Sequence, residues 1–519
     1  MFEAKYLMQP VEISLPGPTP DRTIRAVVSG PRTCEVKLRF KNRYSFSDLS
    51  HLIWTWEVVS NRSTSMLASG EMNVTLPANE TEHVCINLDG VIDEILRSEK
   101  TTRSKNSNSY FLNIQGALRN ATVWATAGHV LVQEQFPLEL SFGNEDDTTL
   151  LKSSALENQS LLSTEDKDGM ITVFRRIATK AIPYLVINKA TGLIVTITSS
   201  EGDNLIAPNH CMAPQFTRAT TDNDRGGMER ILSFFYPDSG LEQLWSTVFG
   251  TSTFSYHTRW RMAGLNLDYP PHQSCSGIRV SKSPDNKRVE IAVTIITKSA
   301  HRKKELVEQK IVYKTFGDGR ICVTSHVVPR PALQGCVSLP RIGMSLALNK
   351  SLYNIQYFGR GPFENYEDRK VAARMGVFET TPKEMAYHYI FPSENGSRSD
   401  CEWVALRNSN GVGICFASDG VHANGKRNKF HFSALLHSSS EYHSASHTCD
   451  LQKRENGEHS IYMNLDHKLM GLGGDLSWLP CVYDEYLVNT NQEYSFGFWI
   501  IPLNERNDAA SIAIDNVTG

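Results

Sequence analysis

The chain has 519 residues, of which 40% are hydrophobic and 21% charged, and its formal net charge is −3. This is the composition of an ordinary globular protein with sizeable cores, and the length predicts two or more domains. It excludes a basic field for nucleic acid, a lysine- and arginine-rich anchor for a membrane surface, and an apolar run long enough for a transmembrane helix.

Residues 1–16 lack the basic segment followed by an apolar one that begins a secretory signal peptide. The ten cysteines are scattered and none forms a Cys-x-x-Cys pair, which favours reduced thiols over a disulfide framework. We therefore expect a cytoplasmic protein whose Asn-x-Ser/Thr sequons occur by chance.

Residues 1–144 are predicted to be all-β. Short runs of alternating or nearly alternating hydrophobicity, separated by Gly, Asn, Pro and Ser, occur at 35–40, 52–58, 110–114 and 129–133. Several short strands in about a hundred residues are typical of an immunoglobulin-like sandwich.

Residues 145–167 are polar and poor in large apolar side chains, which predicts a linker. Strand patterns then continue from about residue 168 to 505, with little helical periodicity. A β region of this length favours a large two-sheet sandwich, because two sheets bury each other's apolar faces. Residues 506–519 are interpreted as a tail.

Four segments, all predicted turns, could carry chemistry: residues 216–227, 357–369, 389–396 and 466–480. In the first, Asp222 and Asp224 are either metal ligands or parts of an Asx-rich turn, and we favour the turn. In the second, Glu364, Asp368 and Arg369 are either an acid/base pair with an arginine clamp or a loop ion network, and we favour the network.

Histidines cluster at His431, His437, His443 and His447. The last two could share a metal if their segment were helical, but its surroundings predict strands, where residues four apart are about 13 Å from each other. We therefore expect solvated or pocket-lining histidines.

Trp478 lies between a Gly-Gly turn and a proline. A flat aromatic ring on a rigid turn suits a sugar, whose ring has an apolar face of C–H bonds, but tryptophans are usually buried. On the residues alone, a core side chain and a sugar-binding platform remain equally open.

The four segments, in this order, strongly resemble the C-terminal half of the long bacterial-type β-galactosidases of glycoside hydrolase family 2. The matching runs are Phe-Thr-Arg-Ala-Thr-Thr-Asp-Asn-Asp at 216–224, Gly-Pro-Phe-Glu-Asn-Tyr-Glu-Asp-Arg at 361–369, Phe-Pro-Ser-Glu-Asn-Gly-Ser-Arg at 391–398 and Gly-Leu-Gly-Gly-Asp-Leu-Ser-Trp-Leu-Pro at 471–480. Residues 3–5, 67–71 and 120–129 resemble the family's fourth domain, while Ala219-Thr220 departs from its Ala-Pro.

The resemblance implies an all-β chain made of the last two of five family domains, an immunoglobulin-like sandwich and a β supersandwich of the galactose mutarotase-like kind. The family is retaining and needs two glutamates, and it carries them, with most magnesium and sodium ligands, on a (β/α)₈ barrel that this sequence does not contain. No catalytic residue, metal ligand or cofactor is therefore assigned to this chain.

What the resemblance assigns is Trp478, as the tryptophan that reaches the active-site mouth and stacks on the β-galactoside or galactose. The implied function is the C-terminal portion or small subunit of a β-galactosidase, inactive alone, partnered by a barrel-bearing chain or present as a homo-oligomer. The alternatives are a stand-alone carbohydrate-binding protein and, less favoured, an aldose mutarotase.

Overall fold

The protein is described by a computed structural model that covers residues 2–17, 22–28, 34–92, 95, 108–142, 160–177, 180–235, 241–249, 254–301, 303–333, 335–420, 428–452, 460–474 and 481–515. Strands dominate its regular structure, which confirms the predicted all-β class. Over these ranges, no helix is both long and apolar enough to cross a membrane.

The N-terminal region folds into two sheets around one core. After helix α1 (Phe2–Leu7), its strands are β1 (Val11–Ser14), β2 (Ile24–Val28), β3 (Glu35–Asn42), β4 (Leu52–Ser60), β5 (Ala68–Met72), β6 (Thr81–Asn87), β7 (Tyr110–Leu118) and β8 (Val130–Phe142). One sheet has the order β1-β3-β6 and the other β2-β8-β7-β4-β5. Alternate residues of β3, Val36, Leu38 and Phe40, are buried in the core together with Trp54, as expected for strands with one face inside a sandwich.

The following region contains most of the strands. They are β9 (Leu162–Lys167), β10 (Met170–Ile177), β11 (Lys180–Asn188), β12 (Ile194–Ile197), β13 (Ala213–Gln215), β14 (His272–Lys282), β15 (Arg288–Lys298), β16 (Glu305–Phe316), β17 (Ile321–Pro329), β18 (Arg341–Leu348), β19 (Asn354–Gly361), β20 (Arg374–Thr380), β21 (Arg398–Cys401), β22 (Trp403–Arg407), β23 (Gly413–Ser418), β24 (Phe430–Leu435), β25 (Ile461–Leu469) and β26 (Tyr494–Leu503). Its α-helices are α2 (Asp222–Arg225), α3 (Met228–Phe235), α4 (Leu241–Phe249), α5 (Tyr256–Ala263), α6 (Pro382–Met385), α7 (Ser439–Ser444), α8 (Thr448–Gln452) and α9 (Ala509–Asp515), and short 3₁₀ turns lie at Pro331–Leu333 and Asp484–Tyr486.

These strands form a large sandwich. A nine-stranded sheet has the order β14-β15-β16-β17-β26-β23-β22-β19-β20, and a five-stranded sheet has the order β13-β18-β25-β24-β21. A further sheet of four strands, β12-β11-β10-β9, was not foreseen by the two-sheet prediction. Residues of all three sheets share the largest hydrophobic core.

Two predicted boundaries are wrong. The last part of the predicted linker 145–167 is strand β9, which pairs with β10 through a two-residue turn in which Asp168 and Gly169 both have positive φ; such turns match the twist of a hairpin. The predicted tail 506–519 contains α9, whose Ala510 and Ile514 are buried and which packs on β22 and β23.

The helices between residues 222 and 263 were not predicted either. The clearest of them, α5, begins after Ser255, whose hydroxyl accepts a hydrogen bond from the Thr258 N–H, and ends at Gly264 with φ of 92°. Serine is a preferred residue at a helix N-cap, and glycine with positive φ is a preferred residue at the C-terminal end. The buried Trp260 fixes α5 to the sandwich by donating from Nε1 to the Ser338 carbonyl at 2.8 Å.

The N-terminal sandwich contacts the edge of the nine-stranded sheet. Gln135 exchanges two hydrogen bonds of 2.7 Å with the backbone of Met375, at the beginning of β20. The Glu3 carboxylate accepts from the Val371 and Ala372 N–H groups at 3.0 Å. The segment 3–5 therefore helps to join the two regions, since backbone donors are satisfied across their boundary.

Candidate functional site

Trp478, the assigned site residue, lies outside the described residues, as do residues 475–480 as a whole. The structure does describe both ends of its turn, at 471–474 and from 481 onward. Residues 470–474 and 481 form the base of the turn.

Arg218 is the centre of this base. Its guanidinium pairs with the Asp224 carboxylate through two bonds, at 2.6 and 3.1 Å, and donates to the Met470 and Gly471 carbonyls at 2.6 and 3.2 Å. Both charged side chains are buried. A bidentate arginine–carboxylate pair is geometrically specific, so the backbone that enters the turn is held in one place.

Local capping explains the position of Asp224. The Thr221 hydroxyl accepts from the Asp224 N–H at the beginning of α2, and the Asp224 carboxylate accepts in return from the Thr221 N–H at 3.0 Å. This is a capping box. Asp224 thus serves a helix cap and an ion pair, while the neighbouring Asn223 donates to the Leu472 carbonyl at 3.0 Å.

The second motif reaches the same turn through Asp368. Its Oδ2 accepts from the Gly473 N–H at 2.7 Å. Gly473 has φ of 68°, and a Cβ there would lie 2.4 Å from the Cys481 carbonyl oxygen. Only glycine fits this conformation and this close approach of the two ends of the turn.

Glu364 joins the second motif to the third. Its carboxylate pairs with Arg369 at 2.7 Å and accepts from the Gly396 N–H at 2.9 Å and from the Tyr389 hydroxyl. Burial and the nearby Glu364 raise the pKa of Tyr389 to about 12, so this phenol remains a hydrogen-bond donor at neutral pH. The loop ion network favoured from the sequence is the arrangement present here.

A second buried ion group lies in the five-stranded sheet. Arg341, fully buried in β18, donates to Glu394 at 2.6 Å and lies 3.6 Å from Asp466 of β25. Burial raises the pKa of Asp466 to about 6, although Arg341 acts in the opposite direction. The sequence analysis did not single out Arg341; an arginine among the apolar residues of a buried strand was the available signal.

Asp466→Asn is expected to change how stability depends on pH. Since folding raises the pKa of this carboxyl from 3.8 to about 6, its protonated form stabilises the fold fully below pH ~4, and that contribution is lost as the pH rises through ~6. The change amounts to about 2–3 kcal/mol. Urea denaturation from pH 4 to 7 should show the wild-type protein losing that much relative to the variant; a constant difference would contradict the assignment.

The histidine segment corrects one expectation. Its last part is helical and not extended, with His443 in α7 and His447 just before α8, whereas His431 lies in strand β24. A capping box of Ser438 and Glu441 begins α7, a signal that the sequence analysis did not use. The His443 side chain is 7% exposed and pairs with Asp268 at 3.1 Å, whereas His447 is exposed.

The acidic side chains of this network hold other groups of the protein in place. Asp224, Glu364, Asp368 and Glu394 each bind an arginine or backbone N–H groups. Within the described part of the chain, no three His, Cys, Asp or Glu side chains are grouped as metal ligands would be. The first two motifs therefore hold the base of the turn, and the third is connected to the second through Glu364.

Two family models match the chain. One, described as "Beta galactosidase small chain", covers residues 183–500, more than half of the sequence. The other, described as "Beta-galactosidase, domain 4", covers residues 38–139.

Similar proteins carry the same name but are much longer. A β-galactosidase of Pseudoalteromonas haloplanktis is 26% identical over 95% of this chain and 40% of its own length. One of Oenococcus oeni is 29% identical over 77% of this chain and 33% of its own length. The chain thus spans two fifths or less of these relatives.

Among solved structures, a GalM/aldose epimerase homologue from C. elegans aligns with 66% of this chain and all of its own, at 8% identity and a TM-score of 0.29. A TM-score this low supports no argument, so the galactose mutarotase-like form of the large sandwich remains a prediction.

Proposed function

The chain belongs to the β-galactosidase small-chain family, and from this premise we propose that it is the C-terminal part of a β-galactosidase that completes the substrate pocket of a barrel-bearing chain. The observation that carries the proposal is that the first two motif segments bind the backbone of residues 470–473 in the fourth, while Glu364 ties the second segment to the third. Burying an ion pair carries a large desolvation cost, and a binding residue that needs a fixed position would account for such a pair at residues 470–473.

In this proposal Trp478 stacks on the apolar face of the galactoside. Aromatic contacts of this kind contribute about 1–2 kcal/mol, which favours binding and leaves bond cleavage to groups elsewhere. The two carboxyl groups that a retaining glycosidase requires would come from the barrel, together with any magnesium or sodium. The lone chain should therefore not hydrolyse galactosides.

Mixing the purified chain with a barrel-bearing partner chain is expected to produce hydrolysis of a chromogenic β-galactoside that neither chain gives alone. In the mixture, Trp478→Ala should lower kcat/KM by about 5- to 30-fold, the equivalent of the lost stacking. Initial rates over a range of substrate concentrations measure this.

Trp124→Ala provides the matched control, since Trp124 is a largely exposed tryptophan of the N-terminal sandwich; its kcat/KM should equal that of the wild-type mixture. Substantial turnover by the lone chain, or equal kcat/KM for Trp478→Ala and Trp124→Ala, would overturn the proposal.

A further inference from the structure

One face of the five-stranded sheet carries a row of polar side chains. Ser345 of β18 lies directly opposite Asn464 of β25, and Asn464 lies directly opposite Ser433 of β24. Directly opposed residues place their side chains on the same side of a sheet, so the three form one row across three strands. All three line a cavity of about 330 Å³, a volume within the range of about 300–1,000 Å³ that small-molecule sites have.

Two buried side chains of the cavity wall keep an oxygen atom that a ligand can reach. Asn464 donates from its amide nitrogen to Ser433 Oγ at 3.1 Å, and Glu394 accepts at Oε1 from Arg341 at 2.6 Å. Within the described part of the chain, Asn464 Oδ1 and Glu394 Oε2 have no hydrogen-bond partner, and neither belongs to the fully enclosed polar atoms. Because buried oxygen atoms normally accept a hydrogen bond, the cavity contains acceptors that lack a donor.

Glu394 gives the cavity a negative charge. Among the described residues that line it, Glu394 is the only Asp, Glu, Lys or Arg. Its partner Arg341 also lies 3.6 Å from Asp466, so one buried arginine faces two carboxylates. The pKa of Asp466 is raised only to about 6, so this carboxyl is largely ionised at pH 7. Since a buried charge is costly unless it is paired, a cation beside Glu394 would balance the group, whereas an anion would meet no lysine or arginine.

The remaining wall suits a hydrocarbon group. It contains Leu435 and the rings of Tyr442 and Tyr462. Tyr462 contacts His210 edge to face, with ring centroids 5.6 Å apart, and Tyr442 contacts His437 in the same way at 5.8 Å. Tyrosine rings bury apolar groups and also attract cations to their faces. The lining therefore combines a carboxylate with aromatic rings, which favours an organic cation over an inorganic one.

We propose that this cavity binds a small primary amine in its ammonium form, with Glu394 Oε2, Asn464 Oδ1 and Ser345 Oγ as acceptors and the two tyrosines against its apolar substituent. A primary ammonium group has three donors and no acceptor, which matches a cavity with acceptors in need of donors. This inference does not depend on the proposed function, because it requires neither a partner chain nor a galactoside.

Isothermal titration calorimetry of the full chain at pH 7 with 2-phenylethylamine, 2-phenylethanol and phenylacetate tests the site. The three compounds share a ring and a short chain but are cationic, neutral and anionic, since an aliphatic amine titrates near pH 10. We expect the amine to bind and the other two to bind at least about tenfold more weakly, because hydrogen bonds to charged groups are the stronger ones.

Two variants locate the bound amine. Glu394→Gln nearly preserves the side-chain shape and should weaken binding about 10- to 100-fold through loss of the charge. Ser345→Leu, on a partly exposed cavity residue of β18, should fill the cavity and abolish binding. Circular dichroism establishes that each variant is folded, and either variant suffices if the other is not.

Ser351→Leu is the matched control, at an exposed turn residue outside the cavity wall, and it should bind the amine as the wild type does, as should Trp478→Ala. Three results would overturn the proposal: no heat with the amine, binding of the alcohol or of phenylacetate as tight as that of the amine, or wild-type affinity in a folded Glu394→Gln or Ser345→Leu. None of these results bears on the proposed function, which is tested by galactoside hydrolysis in the two-chain mixture.

Discussion

Replacing Arg218 with methionine is expected to lower the free energy of unfolding by about 3–5 kcal/mol, the cost of breaking a buried ion pair from one side. Methionine nearly preserves the volume of the side chain, so the loss comes from charge and hydrogen bonding. Asp224 would remain buried without its counter-ion, and the Met470 and Gly471 carbonyls would lose their donor. Urea denaturation of both proteins at pH 7 measures the change.

Arg506→Met is the control for this prediction, because the Arg506 side chain is 89% exposed and its ion pair with Glu505 is long, at 3.7 Å. It should change stability by less than about 0.5 kcal/mol. In the double variant Arg218→Met/Asp224→Asn, part of the loss should be recovered, since the unpaired charge is gone. A loss below about 1 kcal/mol in Arg218→Met would mean that the base of the turn is not held as described.

Periodic strands could be predicted because their signal is local. In β15, large apolar residues at 289, 291, 293 and 295 alternate with smaller or polar ones and match the buried face of the strand, and no distant residue is needed to interpret this pattern. The same holds for the Asp168-Gly169 turn and the Ala509–Asp515 helix. Their signals were present in the sequence, and the linker and tail assignments overlooked them.

The candidate site is different, because its contacts join residues far apart in the chain. Arg218 binds carbonyls about 250 positions later, and Asp368 binds Gly473 across 105 positions. No periodicity or spacing rule links such pairs. The resemblance indicated that the four segments belong together, but only the fold shows that Arg218, Glu364 and Asp368 connect them.

The cross-strand pair of His431 and Asp466 shows the same limit. His431 was noted in the sequence only as one member of a histidine cluster, and Asp466 only as the beginning of the turn segment. The register of β24 and β25 places the two directly opposite each other. Cross-strand neighbours follow from register, which the sequence does not specify by itself.

Trp403 lies in a hydrophobic core to which both regions of the protein contribute. It is fully buried in β22, in a cluster that also contains Phe111 of the N-terminal sandwich, Phe358 of β19 and Ala510 of α9. Gln135 and Glu3 add hydrogen bonds across the same boundary. Stability at this core should therefore affect both regions and the C-terminal helix at once.

Trp403→Ala is accordingly expected to cost about 3–5 kcal/mol, since it leaves a large cavity that rigid neighbouring strands cannot close. The same substitution at Trp124, which is 62% exposed, should cost less than about 1 kcal/mol. Denaturant unfolding gives both values, and limited proteolysis should show earlier cleavage between the two regions in Trp403→Ala alone. If cleavage were unchanged while stability fell, the tryptophan would support only the supersandwich, and the boundary would depend on Gln135 and Glu3 instead.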